Sequence, residues 1–563
     1  MGSITYTNRI GIGTVALLGA LLFSALPARG AFQPAAEGSH LAVATDTADA
    51  THAALSAMRN GGNAFDGAIA AALALGVSSP TASGIGGGGF ALVWVAREHK
   101  MIALDFREVA PAKGDATSLV VKDKRGTSVG IPGEPAGLAW LSVHYAKKSL
   151  AEDAEPARRT AENGVTVSRH LSEVIGSTQR FINGTPLANE LLPSGQGLAY
   201  RSTWKRPALA KTIARFGREG ATPFYTGDIA TQIVTAARAE GSAMEASDLA
   251  NYKVRERQPL MRTIGTRTVA TMPAPSAGGL MLLETLLIYG ADATSPLKGA
   301  GFGSSSYLHS IAEVMRGAIA DRARISGDPD LDPGITAAYD HALDPKQLEA
   351  RQKRIEPYKV HNAIEFKTRE EGTSHLIVTD DEGNVVSLTT TVNGPFGARI
   401  VAGDSGILLN NELDDFSSQA DMTPFGVQGG GLNRARGNAR PVSSMAPTIV
   451  LENGEPIAAL GGSGGRRIAT AVTQVALARL VFGLDPGACV SAPRMFTNGA
   501  NLVVDPEVAE DVRAALRLRG ETVEQETFLG TGVQMIGWDR PASGAVKVLA
   551  ASDPRKLGFA AAL

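Results

Sequence analysis

The stretch Gly372-Thr373-Ser374-His375-Leu376-Ile377-Val378-Thr379-Asp380, followed by Asp381-Glu382-Gly383-Asn384 and Val385-Val386-Ser387-Leu388-Thr389-Thr390-Thr391-Val392-Asn393, decides the reading of this chain. Ser374 to Asp380 is rich in branched residues and reads as a strand. Asp381 to Asn384 reads as a turn, with Gly383 free to take the positive φ of a short hairpin loop. Val385 to Asn393 reads as the returning strand. Folding about Glu382 sets Thr373 opposite Thr391. A threonine at the mouth of a hairpin, after a glycine and facing a second threonine, suggests a nucleophile freed by cutting the chain just before it. An ordinary hairpin enriched in threonine by β-propensity is the alternative.

The chemistry is economical. A threonine hydroxyl is a weak nucleophile and needs an adjacent base. Cleavage of the Gly372–Thr373 bond would give Thr373 its own α-amine, with an ordinary pKa of about 7.7–8.0, near the value wanted in a general base. Gly372 has no Cβ, so the backbone there can adopt the geometry in which the Thr373 hydroxyl reaches its carbonyl.

Working outward, the chain carries Gly61-Gly62-Asn63-Ala64-Phe65-Asp66, the run Gly84 to Phe90 and Asp105-Phe106-Arg107-Glu108 upstream. Downstream come Gly406 to Ser417 (GILLNNELDDFS), Arg440-Pro441-Val442-Ser443-Ser444-Met445 and Gly461-Gly462-Ser463-Gly464-Gly465. In this combination and order, from about His40 to about Arg555, the chain resembles the γ-glutamyltranspeptidase family of N-terminal-nucleophile hydrolases. The resemblance implies an α/β (α+β) fold, a four-layer αββα sandwich formed jointly by both products of the cut. A large chain of residues 31–372 and a small one of residues 373–563, beginning with the nucleophile, are expected to form a heterodimer from one precursor.

The resemblance also implies roles. Thr373 is the nucleophile, Thr391 positions and polarises it, and Gly464 and Gly465 form the oxyanion hole. Arg107 can fork onto the α-carboxylate of a γ-glutamyl group in a way lysine cannot. Ser443 and Ser444 can donate to the same carboxylate, and Asn393, Glu412 and Asp415 can accept from the α-ammonium. Taken singly, Arg107 reads as a surface ion pair with Glu108 or Asp105, and Asp415 as a turn cap. The implied donor is glutathione or a related γ-glutamyl compound, and the acceptor is water, an amino acid or a peptide. A glutaryl or cephalosporin acylase of the same fold and a processed but inactive γ-glutamyl-peptide binder are the alternatives.

Gly461-Gly462-Ser463-Gly464-Gly465 also satisfies G-x-S-x-G between an expected strand and an expected helix, the context of a serine nucleophile elbow. Such enzymes place their histidine after the serine, and no histidine follows Ser463. The run Gly84 to Gly89 lacks the Gly-Lys-Ser/Thr ending of a phosphate loop and reads as close packing of a strand against neighbouring backbone. No His, Cys or carboxylate cluster has metal-ligand spacing, and no cofactor is expected.

The first residues hold Arg9, an apolar run from Ile10 to Leu26, and Pro27-Ala28-Arg29-Gly30-Ala31, the pattern of a signal peptide over residues 1–30. A periplasmic or secreted protein without stable membrane association is expected, an uncleaved anchor being the alternative. With 54 basic and 56 acidic residues and no basic stripe, nucleic acid is not an expected partner. Cys489 is the single cysteine, so no intrachain disulfide forms; it reads as a small buried hydrophobe near a helix end.

Length alone suggests three or four domains, yet helical patterns (Asp49 to Arg59, Ala64 to Leu75, Arg466 to Phe482) alternate with short strands (Phe90 to Val95, Thr448 to Leu451, Ile457 to Leu460) without a boundary. The charged stretch Asp344 to Glu371 reads as a solvated, cleavable linker. Ser418 to Ala439 has the length of the lid found over the pocket in bacterial members. There Phe425 stands where relatives carry a tyrosine, and Ser374 stands where they carry threonine or alanine. Loss of the tyrosine hydroxyl predicts a looser gate, with hydrolysis and transfer both open as fates. The polar stretch Glu152 to Arg159 has no reading from sequence.

Overall fold

The computed structural model describes residues 34–115, 117–361, 372–417, 431–497, 499–526, 529–541 and 545–563. The expected signal peptide therefore lies outside the described residues, as do Phe425 and most of the expected lid. No helix among the described residues is long and apolar enough to cross a membrane.

The hairpin forms with the expected register. Ser374–Thr379 pairs antiparallel with Val385–Thr391, and Ser374 stands opposite Thr390, which puts Thr373 beside Thr391. This hairpin is the centre of a seven-stranded antiparallel sheet. Its strands run in the order Phe559–Ala562, Ala42–Thr45, Ser374–Thr379, Val385–Thr391, Gly88–Val95, Lys100–Phe106, Arg255–Arg257. A second antiparallel sheet of seven runs Ala36–Gly38, Lys547–Ser552, Gly532–Asp539, Glu455–Ser463, Thr448–Glu452, Arg267–Thr271, Leu260–Ile264. Each sheet takes strands from both sides of Gly372, so neither side of the proposed cut can complete a sheet alone.

The two sheets face each other, and helices cover their outer faces. Ile377 and Val385 pack into the core shared with Ile449, Ala459 and Met535 of the second sheet. Their strand neighbours Leu376, Val378, Val386 and Leu388 pack instead with Ala68, Ile69 and Ala72 of the helix Ala64–Ser78. Successive strand residues point to opposite faces, so Thr373, His375 and Ile377 share the inter-sheet face with Thr389 and Thr391. The architecture is the expected αββα sandwich.

The helix Ala64–Ser78 is buried along its whole length and starts at a capping box. The Asn63 side chain accepts from Phe65 N and Asp66 N, and the Asp66 carboxylate accepts from Asn63 N at 2.7 Å. Such a cap stabilises a helix by about 1 kcal/mol. The glycine run packs as expected: a Cβ on Gly87 would lie 1.9 Å from the Thr391 carbonyl oxygen, and one on Gly89 2.0 Å from that of Thr389. Cys489 is buried in the short helix Pro486–Ser491.

The charged stretch before the cut departs from expectation. Pro345–Gln352 is a helix capped by Asp344, and Arg351 binds the buried Glu284 at 2.8 Å and also Asp321. Arg351 turns its charge inward, while Lys346, Glu349, Lys353, Arg354, Glu356 and Lys359 are exposed, as expected of a solvated stretch. Residues 362–371 lie outside the described residues. Glu152 to Arg159 belongs to the helix Leu150–Asn163, where Arg158 reaches both Glu155 and Glu162.

Candidate active site

Gly372 and Thr373 sit at the mouth of the hairpin, in a pocket lined by Arg107, Thr391, Asn393, Glu412, Asp415, Ser443, Met445, Gly465 and Ile468. Thr373 is only 2% exposed. Its hydroxyl donates to the Gly372 carbonyl oxygen, and the Thr391 hydroxyl donates to the same oxygen at 2.9 Å. Thr391 is fixed in turn, its Oγ1 accepting from Asn393 N at 2.8 Å. Gly372 N donates to the Asn393 carbonyl at 2.6 Å. A Cβ on Gly372 would lie 2.4 Å from that carbonyl oxygen and 2.8 Å from the Thr81 carbonyl oxygen. Glycine is required there because two backbones close on the peptide. In the uncut chain the Gly372–Thr373 peptide itself occupies the pocket.

The oxyanion candidates follow the strand Glu455–Ser463 and precede the helix Ile468–Leu480. Gly464 (φ 125°) and Gly465 (φ 59°) both take positive φ, where a side chain would be strained. Gly465 lines the pocket beside Gly372 and Thr373. Gly464 packs on Gly530 and Thr531, a Cβ there falling 2.7 Å from the Gly530 carbonyl oxygen. Ser463 is fully buried and turns its hydroxyl toward the Gly532 carbonyl at 3.4 Å. It is strand core, which agrees with setting the elbow aside.

Arg107 is not a surface residue. It is wholly buried, with Nη2 on Asp415 at 2.7 Å, Nη1 on Glu412, and bonds to the carbonyls of Pro441 and Val442. Asn393 Nδ2 donates to Asp415 Oδ1 at 3.3 Å. The residues expected to receive the two ends of an amino-acid zwitterion thus meet in an internal ion pair in which Arg107 bonds both Glu412 and Asp415. Ser443 is held by its backbone, N to the Pro275 carbonyl at 3.1 Å and carbonyl from Ala277 N at 2.8 Å. Its hydroxyl accepts from Met445 N at 3.2 Å. Ser444 is buried beside it, its carbonyl packed where a Cβ of Gly278 would fall.

Two buried acids stand behind this pair. Burial pushes Glu108 up to about 8, against the pull of Arg107 4.0 Å away. Burial likewise pushes Glu134 up to about 8 despite a bond from the Thr390 hydroxyl. His375, the histidine nearest the nucleophile in sequence, is pushed down to about 3 by burial. It is a neutral core group within bonding distance of Thr389 and Ser387. Among the described residues no group of three or more His, Cys, Asp and Glu is disposed to hold a metal.

Sequence reasoning missed the residues that brace the site. Asn433 donates to the Asp415 carbonyl at 2.8 Å and accepts from Val442 N at 2.9 Å, joining the acidic turn to the Ser443 loop. Asn411 accepts from Gly394 N, and Asn410 donates to the carbonyls of Gly86 and Gly130. Asn410 and Asn411 lie inside the GILLNNELDDFS motif, whereas Asn433 lies in the expected lid with nothing in its neighbours to single it out. The described end of the expected lid is pinned, Asn438 N to the Ala110 carbonyl at 3.1 Å and Arg436 to Asp332.

Two facing antiparallel sheets between helical layers, with a threonine at a central strand mouth, define the fold of the N-terminal-nucleophile hydrolases. A family model for gamma-glutamyltranspeptidase matches residues 50–563. Glutathione hydrolase 2 of Arabidopsis thaliana is 34% identical, covering 92% of this chain and 93% of the relative. The glutathione hydrolase proenzyme of Escherichia coli (strain K12) is 32% identical, covering 92% and 90%. Among solved structures, a cephalosporin acylase from Bacillus halodurans superposes with TM-score 0.83 at 25% identity over 95% of this chain and 97% of that one. The γ-glutamyltranspeptidase of Helicobacter pylori gives 0.53 at 30% identity, over 57% of this chain and 93% of that one. The chain belongs to the γ-glutamyltranspeptidase family and is an enzyme of that family.

Proposed function

We propose that the chain cuts itself between Gly372 and Thr373 and then acts as a glutathione hydrolase and γ-glutamyltransferase through Thr373. The observation that carries this reading is the pair of threonine hydroxyls on the Gly372 carbonyl. In maturation, Thr373 Oγ1 attacks the Gly372 carbonyl carbon while Thr391 bonds its oxygen. The C–N bond breaks, an ester forms on Oγ1, and the hydroxyl proton ends on the new amine. Water then hydrolyses the ester, leaving a Gly372 carboxylate and a free Thr373 hydroxyl and α-amine.

In turnover the pocket vacated by Gly372 receives a γ-glutamyl carbonyl. The zwitterion exchanges into the internal ion pair: its carboxylate takes Arg107 with Ser443 and Ser444, and its ammonium takes Glu412, Asp415 and Asn393. Charge is conserved in that exchange, so no buried group is left unpaired, which would otherwise cost several kcal/mol. The α-amine accepts the proton of Oγ1 as it attacks, and the N–H groups of Gly464 and Gly465 receive the developing oxyanion. The amine then passes that proton to the leaving amine. Water resolves the γ-glutamyl ester to glutamate, or an acceptor amine resolves it to a new γ-glutamyl compound. Residues 1–30 direct export to the periplasm or beyond, and the two fragments remain together as a heterodimer through their shared sheets.

The test is N-terminal and intact-mass analysis of the purified protein, followed by assay on γ-glutamyl p-nitroanilide. The expected small fragment starts at Thr373 and weighs roughly 20 kDa, scaled by length from 58.4 kDa. A single uncut chain with turnover would overturn the reading. The likeness to a cephalosporin acylase favours a second reading, a glutaryl-type acylase. Glutaryl p-nitroanilide lacks the α-ammonium, so preference for it over the γ-glutamyl substrate would select that reading.

A further inference from the structure

The C-terminal turn reaches the nucleophile from outside the residues that line the pocket. Pro554–Lys556 links Lys547–Ser552 of one sheet to Phe559–Ala562 of the other. From this turn the half-buried Lys556 sends its Nζ to the Thr373 carbonyl oxygen at 3.4 Å. Asp46 and Asp553 are the carboxylates whose charge acts on it. Asp46 is itself built into the strand start, accepting from His375 N at 3.3 Å and from Gln534 Nε2 at 2.5 Å. Asp553 is buried, bonded by Arg494, Arg555 and Val533 N.

We propose that Lys556 is a positioning residue for Thr373: its ammonium, bonded to the Thr373 carbonyl, fixes the nucleophile's backbone and keeps the α-amine released by cutting in its free-base form. This rests on the reading of Thr373 as the nucleophile. The new amine belongs to the residue whose carbonyl the ammonium touches, and a cation that close disfavours a second positive charge. Burial lowers the affinity of Lys556 for its own proton, and Asp46, then Asp553, oppose that. The pocket that holds Thr373 also holds Arg107, Glu412 and Asp415, one cation and two carboxylates, with Glu108 behind Arg107, and their net negative charge acts against that of Lys556 at the amine. On the strand side His375 is neutral, and His170 also lies in the field of Lys556.

The experiment compares wild type with Lys556→Arg, Lys556→Gln and Lys556→Met, following the rate of appearance of the Thr373 fragment and the pH profile of kcat/KM on γ-glutamyl p-nitroanilide. Lys556→Arg keeps donor and charge and is expected to match wild type in both. Lys556→Gln keeps a donor without charge: cutting stays within a few-fold of wild type, and the acidic limb of the profile moves up by about one pH unit. Lys556→Met loses both, and cutting slows at least tenfold. Should Lys556→Met fail to fold, the Gln and Arg pair still decides, through the position of the limb. Equal profiles for Lys556→Arg and Lys556→Gln, with normal cutting, would overturn the proposal while leaving Thr373 in place. Absence of cutting in wild type would remove the nucleophile and this proposal together.

Discussion

The Thr391 hydroxyl donates to the carbonyl oxygen of Gly372 at 2.9 Å, across the mouth of the hairpin that carries them both. The same hydroxyl is oriented by Asn393 N, so the donor is fixed before any charge develops on that oxygen. Preorganisation of this kind is what lowers a barrier to acyl transfer. Thr391→Ala should therefore slow self-cutting by roughly 10²–10³-fold, the usual cost of losing one such donor. Thr391→Ser should recover most of the rate. Gel densitometry of the two fragments over time checks both.

Thr373→Ala should abolish cutting and activity together, leaving one chain of full length by mass spectrometry. Ser463→Ala should cut and turn over normally, because that hydroxyl is buried against the Gly532 carbonyl. A processed, active alanine variant at 373 would contradict the scheme outright.

Gly372→Ala tests the close approach of two backbones. Its Cβ would fall 2.4 Å from the Asn393 carbonyl oxygen, inside any real contact, so the scissile peptide must shift from its place. Cutting should slow by at least about tenfold, since small misplacements of reacting atoms are costly. Any fragment that does form should be as active as wild type, because Gly372 leaves with the large chain. Specific activity per mole of small fragment is the measurement.

Arg107→Lys should raise KM for a γ-glutamyl donor by roughly 10–100-fold, because a point charge cannot reproduce the fork of the guanidinium. Arg107→Ala should also destabilise the chain by about 3–5 kcal/mol, by stranding the buried carboxylates of Glu412 and Asp415. Steady-state kinetics and urea unfolding separate the two effects.

Glu134 gives a pH signature. Burial holds its carboxyl up at about 8 against an ordinary 4.5, so between these values the folded chain keeps a proton that the unfolded chain releases. The stabilisation is full below about pH 4.5 and is lost as pH rises toward 8, at about 1.4 kcal/mol per unit for this group. Glu134→Gln should flatten that part of the stability–pH curve. Chemical unfolding at pH 5, 6.5 and 8 reads the difference in slope.

The hairpin was legible because its evidence is local. Alternation of branched residues gave the strands, Gly383 gave the turn, and counting about Glu382 gave the register that sets Thr373 against Thr391. The helix Ala64–Ser78 and the strand Thr448–Glu452 were likewise close to their expected bounds, since periodicity and caps act within a few residues. The helix Pro345–Gln352 reads as linker because most of its charge is exposed, and the one side chain that ties it to the body, Arg351, finds Glu284 and Asp321, remote in sequence.

What the sequence by itself determined is the chemistry available: a threonine after a glycine, glycines before a helix, one arginine and a set of acids in family order. What only the tertiary structure decided is which of these meet. Arg107 lies far from Glu412 and Asp415 along the chain, yet they share one buried ion pair. Lys556 reaches the site from a segment without any local mark of function, and Asn433 from the expected lid without a mark of its own. The physical reason is that strand and turn propensities are set by near neighbours, whereas charge pairing and close backbone approach depend on how two sheets, each built from both sides of the cut, come to face one another.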